Sequence, residues 1–225
     1  MSIRYTIQVR NLSPNKQEFF FFQKPAQYLG GGPIYSNSIY QEKLRPNKEG
    51  ATLIFEFEQQ FYAGVEQRSQ AVIKPGQASG HTIAVQPIDL TLASGDPTNN
   101  ATNMLLPDLG LSVPQYSDVV EPGSFRVTTA AFDSTVSYYN VGLAVQHPKT
   151  RASVLSSFTD AGPSLNIDCQ PIMVFYVQTG SHEPGQVINY TKASVNAAVC
   201  DATKGVTFFN VDYLSDGTWR VEPVM

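Results

Sequence analysis

Phe19, Phe20, Phe21 and Phe22 follow one another without interruption, and Pro25 closes the stretch. Successive side chains of a strand point to opposite faces, so this run loads both faces with large apolar rings. A sheet with one solvated face has no use for that. The second face must be covered by more of this chain, by a second copy, by a ligand or by lipid. Just upstream, residues 3–10 alternate, with Ile3, Tyr5, Ile7 and Val9 on one face and Arg4, Thr6, Gln8 and Arg10 on the other. This is the pattern of a half-buried strand.

Residues 11–16, with Pro14 among them, supply turn chemistry, so a hairpin is expected. The register that sets Arg10 opposite Glu18 satisfies charge pairing and core patterning together. It places Phe19 and Phe21 beside Val9 and Ile7 and leaves Phe20 and Phe22 on the face of Gln8 and Thr6. Cover for that apolar strip is expected from residues 94–124, with a second protomer or a ligand as alternatives.

Further alternation marks residues 51–58, where Ala51, Leu53, Phe55 and Phe57 read inward and Ile54 breaks the outward set. Residues 60–66, 71–74, 81–92, 125–129, 136–146, 170–178, 186–190 and 206–213 also read as strands, and Pro87 suggests an edge or a bulge. Residues 172–177 are apolar on both faces, as a doubly covered central strand requires. Near the C-terminus, Ser215-Asp216-Gly217 reads as a three-residue hairpin loop. That loop pairs Tyr213 with Trp219, Asp212 with Arg220 and Val211 with Val221. Only residues 192–201 carry helical spacing, and a strand fits them equally. Residues 94–124 show no period and read as a packed crossover or a linker.

Many short strands punctuated by Gly and Pro predict an all-β chain. The expected fold is an antiparallel β-sandwich, jelly-roll-like, with two abutting sandwiches as a variant and little helix. Residues 1–225 are expected to form one domain, with subdivision into 1–93 and 125–225 joined by 94–124 as the alternative.

Composition narrows the function classes. Charged residues make up 15% of the chain and the net charge is −4, against roughly 25% charged residues in an average soluble protein. With no cluster of Lys or Arg, no nucleic acid is expected as a partner. No run of about 18 apolar residues exists, so no transmembrane segment is expected. The N-terminal MSIRYTIQVR has neither an apolar signal core nor a cleavage site. The expectation is a cytoplasmic chain, or one exported without a cleaved leader. Cys169 and Cys200 are the only cysteines. Cys169 alternates in phase with Ile167, and the two cysteines are expected to be buried free thiols, with a Cys169–Cys200 bridge as the alternative.

Catalytic and metal motifs are weak. His81, His147 and His182 lack the spacing of a metal site. Residues 96–100 resemble a calcium loop only faintly, because Ala101 and Pro107 stand where Gly and Glu are needed. Gly30-Gly31-Gly32-Pro33 precedes no GKS or GxGxxG arrangement. Asn100-Ala101-Thr102 and Asn189-Tyr190-Thr191 match glycosylation sequons. No cofactor and no metal site is expected.

One strand face is more suggestive. Along residues 136–146, Tyr138, Asn140, Gly142, Ala144 and Gln146 share a side, combining a ring and two amides with a floor of small residues. Sugars bind such surfaces, although an ordinary wet face with Tyr138 half-buried is the simpler reading. The function expected is therefore a non-enzymatic β-sandwich protein that binds or self-associates, lectin-like or structural. Phe20, Phe22, Tyr138, Asn140 and Gln146 are its ligand or interface residues. Its expected partners are a carbohydrate or apolar small molecule and a second copy of the chain in a homo-oligomer. The alternative is a small-molecule enzyme with its site in an aromatic-lined cavity, with Asp168, Asp212 or His81 as candidate groups. A membrane-active toxin ranks last, for want of a releasable amphipathic segment.

Overall fold

The structure, a computed structural model, describes residues 4–47, 50–58, 60–146, 150 and 152–224. The first strands are β1 (Arg4–Asn11), β2 (Gln17–Gln23), β3 (Gln27–Leu29), β4 (Ile34–Asn37), β5 (Tyr40–Leu44), β6 (Leu53–Glu58), β7 (Phe61–Arg68) and β8 (Thr82–Ile88). The middle of the chain adds β9 (Ala101–Leu105), β10 (Gly110–Leu111), β11 (Phe125–Thr128), β12 (Tyr138–Gln146), β13 (Ser153–Ala161) and β14 (Asn166–Gln170). The last part holds β15 (Val174–Thr179), β16 (Val187–Ile188), β17 (Ala198–Asp201), β18 (Phe208–Tyr213) and β19 (Trp219–Val224). One short helix, α1 (Tyr190–Ser194), and a 3-10 turn at Ala202–Lys204 lie wholly within the described residues. The chain is all-β, as expected.

These strands build four sheets, ordered β19-β18-β1-β6, β17-β15-β2-β5, β16-β4-β13-β12-β7-β8 and β10-β9-β11-β14-β3. The first two sheets enclose a core of Ile7, Val9, Phe55 and Val211 against Phe19, Phe21, Phe175 and Val177. The last two enclose a second core, with Val65, Val141 and Leu143 against Phe125, Val127 and Ile167. Each core is the interior of a sandwich. Pairing is antiparallel except for β1 with β18 and β11 with β9, which run parallel. Residues 94–124 contribute β9 and β10 and bury Met104 in the second core.

The predicted hairpin between β1 and β2 does not form. β1 pairs with β18 and β6, while β2 pairs with β15 and β5. Arg10 bonds Asp212 rather than Glu18, and Glu18 lies 3.6 Å from Lys43. The intervening turn carries the chain from one sheet to the sheet facing it. Asn11 is fully buried there, donating to Asn15 O at 2.8 Å and Leu44 O at 3.0 Å while accepting from Ser13. Phe19 and Phe21 still meet Ile7 and Val9, but across the core instead of alongside.

Phe20 and Phe22 therefore do not share a face with Gln8 and Thr6. They lie on the outer face of the second sheet, 2% and 0% exposed, with Val174, Tyr176 and Ile188. Their cover is intramolecular, as expected, but comes from a different segment. Ile172, Tyr190, Ala193 and Ala197 close over them, and the His182 ring meets Phe20 edge-on at 4.6 Å. Residues 192–201, ambiguous between helix and strand, divide into the end of α1 and then β17.

Residues 71–74, read as a strand, lie in a loop, where turn signals at Pro75-Gly76 outweigh a four-residue apolar run. Pro87 sits on β8, an edge strand, as its missing donor requires. The terminal hairpin has the expected register, and Gly217 takes φ +84°. Cys169 and Cys200 are buried and free, in different cores. Burial raises both thiols, that of Cys200 to about 12.

Candidate functional site: a polar row beneath an Ω loop

Among the five residues singled out on the sequence, Tyr138 and Asn140 come together at one end of β12. Gln146 lies at the other end of that strand. Phe20 and Phe22 are in the separate cluster described above.

Strand register assembles the site. Asn140 is opposite Glu66 on β7 and opposite Asp160 on β13, so three polar side chains form a row across three adjacent strands. Tyr138 is opposite Arg68 in the next row. Over this end of the sheet lies the loop 69–81. His81 N donates to Gln67 O at 2.9 Å, which brings the loop's two ends together, as in an Ω loop. The loop is stitched to residues 185–187 as well: Ser79 N donates to Gly185 O and Gly76 N to Val187 O.

The face of β12 that carries these residues is not a wet face. Asn140 and Ala144 are buried, and Gly142 is buried between them. Phe158 and Leu155 pack with Ala144 and Val187, with Tyr35, Tyr62, Ile73 and Val85 at the margin. The small-residue floor read from the sequence exists, but the chain covers it. Tyr138 is half-buried, with the Arg68 guanidinium 5.7 Å from its ring centre.

Hydrogen bonds pin the row. Asn140 Nδ2 donates to Glu66 Oε2 at 3.0 Å and to Ser79 O at 3.1 Å. Asn37 Nδ2 donates to Ser79 Oγ and to Leu155 O, both at 2.9 Å. Arg68 donates to Asp160 Oδ1 through Nη2 and to Ala71 O at 2.8 Å through Nη1. Burial pushes the Glu66 carboxyl up; hydrogen bonds from Asn140 and Ser79 and the charges of His81 and Arg68 offset this only in part. Three buried polar atoms here have no partner among the described residues: Arg68 Nε, Asn140 Oδ1 and Asn37 Oδ1. Such atoms are uncommon in protein interiors.

Inside the loop is a cavity of about 260 Å³, lined by Arg68, Gln70, Gln77, Ser79 and His81 among others. Sequence reading missed Glu66, Arg68, Ser79 and Asp160. The available signal was Glu66 standing on the same face as Gly64 and Tyr62, directly after the apolar run Ala63-Gly64-Val65 of β7. Gln146 lines a different groove, with Arg4, Glu58 and Tyr62.

The other chemical candidates are accounted for by pairing. Asp168 accepts from Arg126 Nη2 at 2.7 Å, and Asp212 accepts from both Arg10 and Arg220. Asn100 of the first sequon is fully buried and donates to Thr91 and Ser117; Asn189 of the second is exposed and caps α1. His147 lies outside the described residues. Among the described residues no group of three or more His, Cys, Asp or Glu gathers as a metal site would require, and no helix is long and apolar enough to cross a membrane. Comparison with protein-family models, with curated proteins and with solved structures finds no match to this chain.

Proposed function

We propose that this chain is a non-enzymatic binding protein whose site is the Ω-loop groove and whose ligand is a small, polar, uncharged molecule rich in hydroxyls, of the size and chemistry of a sugar. The observation that carries this reading is a cavity of about 260 Å³ lined by Arg68, whose buried Nε has no partner among the described residues, and by Ser79, through which alone the Asn140 and Asn37 side chains, each with an unpartnered Oδ1, adjoin it. Ser69, Gln70, Gln77 and Ser79 bring amide and hydroxyl groups to the lining, beside the basic Arg68, Lys74 and His81. Arg68 is already paired with Asp160, and the exposed Lys74 at the lining can donate to a hydroxyl of a neutral ligand.

Gly80, which lines the cavity, lies between it and Glu66, and Glu66 as a whole is only 8% exposed. A ligand in the groove meets the loop rather than the acid, which favours binding over catalysis. Self-association has less support. Phe20 and Phe22 are internal, Pro87 and Pro223 interrupt the edge strands β8 and β19, and β5 and β6 carry charged side chains. These features oppose pairing with another copy.

The test is calorimetric titration of the full chain with a panel of mono- and disaccharides, repeated on Gln70→Ala and Gln77→Ala. Each side chain is exposed, so folding is not at stake. Loss of one neutral hydrogen bond is expected to weaken binding about five- to tenfold. No saccharide bound, or binding indifferent to both substitutions, would sink the reading.

A further inference from the structure

A second groove, sharing no lining residue with the first, runs along the free edge of β6. This strand pairs with β1 alone. At its open edge Glu56, Phe57 and Glu58 line a space of about 140 Å³ together with Tyr62, Val145 and Gln146. Arg4 also borders it and reaches Glu58 at 3.9 Å. Two carboxylates thus stand with one guanidinium, and Glu56 has no ion-pair partner among the described residues.

The inner wall of this groove is shared with a smaller cavity of about 30 Å³. Phe57, Glu58, Gln60 and Val145 border both. Gln23, Met173 and Phe175 line the inner space. Gln23 is 2% exposed; its Nε2 donates to Ile172 O at 3.0 Å, and no donor among the described residues reaches its Oε1. This buried acceptor without a donor lies in the inner cavity, behind the wall that the two spaces share, and is independent of the acids at the rim.

We propose that the β6-edge groove binds a small organic cation: an ammonium group on an aromatic or short aliphatic body. The size fits, since an apolar cavity of about 150 Å³ admits benzene. The rim carries one more carboxylate than cation, and an ammonium near Phe57 and Tyr62 gains from the negative faces of their rings. Phe57 and Val145 pack the apolar body. Gln23 Oε1 accepts from a donor at the inner end, directly or through a water. An anion of the same shape meets the two carboxylates and is disfavoured.

Nuclear magnetic resonance on the full chain tests this. Benzylammonium is titrated while the Val145 amide and Met173 methyl signals are followed, with benzyl alcohol and benzoate as matched neutral and anionic probes. Both signals are expected to shift saturably with benzylammonium, at least fivefold more weakly with the alcohol, and not with benzoate. Glu56→Gln with Glu58→Gln is expected to weaken benzylammonium about five- to tenfold, the scale of two exposed charge contacts. Both positions are exposed, and an unchanged melting midpoint confirms that the variant is folded. Equal binding of the alcohol, no saturable shift at these two signals, or indifference to the double substitution would each overturn the proposal.

Discussion

Gly80 lies against the Glu66 side chain so closely that a Cβ on Gly80 would stand 2.6 Å from Glu66 Cδ. The Ω loop closes on the buried acid with no room for a side chain between them. Gly80→Ala is therefore expected to destabilise the fold by about 1–3 kcal/mol, the cost of overpacking. Thermal melting checks this, and an unchanged midpoint would mean that the loop simply yields.

Glu66 also predicts a pH dependence. Its carboxyl is raised above 4.5, chiefly by burial. A carboxyl raised in the folded state contributes stability that is complete below its unfolded value and lost as pH rises through its folded value. Glu66→Gln removes this loss. Denaturation midpoints between about pH 4 and pH 7 are expected to show the variant gaining on the parent chain as pH rises. A gap that stays constant with pH would contradict the assignment.

Asp212 predicts the opposite sign. Burial alone would raise its carboxyl, but hydrogen bonds and charges from Arg10 and Arg220 outweigh burial and hold it below 3.8. Its contribution is present above the unfolded value and lost as pH falls through the folded one. Asp212→Asn is expected to cost about 1–3 kcal/mol near neutral pH, since both arginines keep access to water. The cost should vanish in strong acid, and a pH-independent cost would show that shape rather than charge matters there.

Phe22 stacks on Tyr176 at 4.9 Å between ring centres and is fully buried. Phe22→Ala is expected to cost about 3–5 kcal/mol. The double substitution Phe20→Ser, Phe22→Ser is expected to abolish folding, as read by circular dichroism. A folded protein of reduced scattering mass would instead return these rings to an interface between copies.

At the terminal hairpin, Gly217 occupies φ +84°. A β-branched residue resists that conformation, so Gly217→Val is expected to destabilise by about 1–2 kcal/mol. Thermal melting settles it.

The contrast between the two hairpin readings shows where sequence reasoning works. Residues 208–224 were legible because the turn, the register and three cross-strand pairs are local and agree. Residues 4–23 satisfied the same criteria equally well, yet the turn at Asn11 sends β2 into the opposite sheet. Arg10 has two acidic candidates in the sequence, Glu18 and Asp212, and proximity along the chain favours the wrong one. β13, Ser-Val-Leu-Ser-Ser-Phe-Thr-Asp-Ala, has no clean alternation because both its faces are covered and a bulge interrupts its pairing with β12. Of the candidate site, the sequence showed Tyr138 and Asn140 on one strand. Glu66 and Asp160 join them only through strand register.

By itself the sequence determined what its local patterns can encode. Those are the all-β class, the terminal hairpin, the edge placement of Pro87, the inward phase of Cys169 and the need for cover on both faces of the Phe run. Tertiary structure decided what lies across from what. It set β1 against β18 and β6, residues 182–197 over Phe20 and Phe22, and the Ω loop over Asn140. The reason is physical: side-chain alternation has a period of two residues and is written within each strand. The choice among partner sheets depends on contacts between residues as far apart as Arg10 and Asp212, which compete on nearly equal local terms until the whole core is assembled.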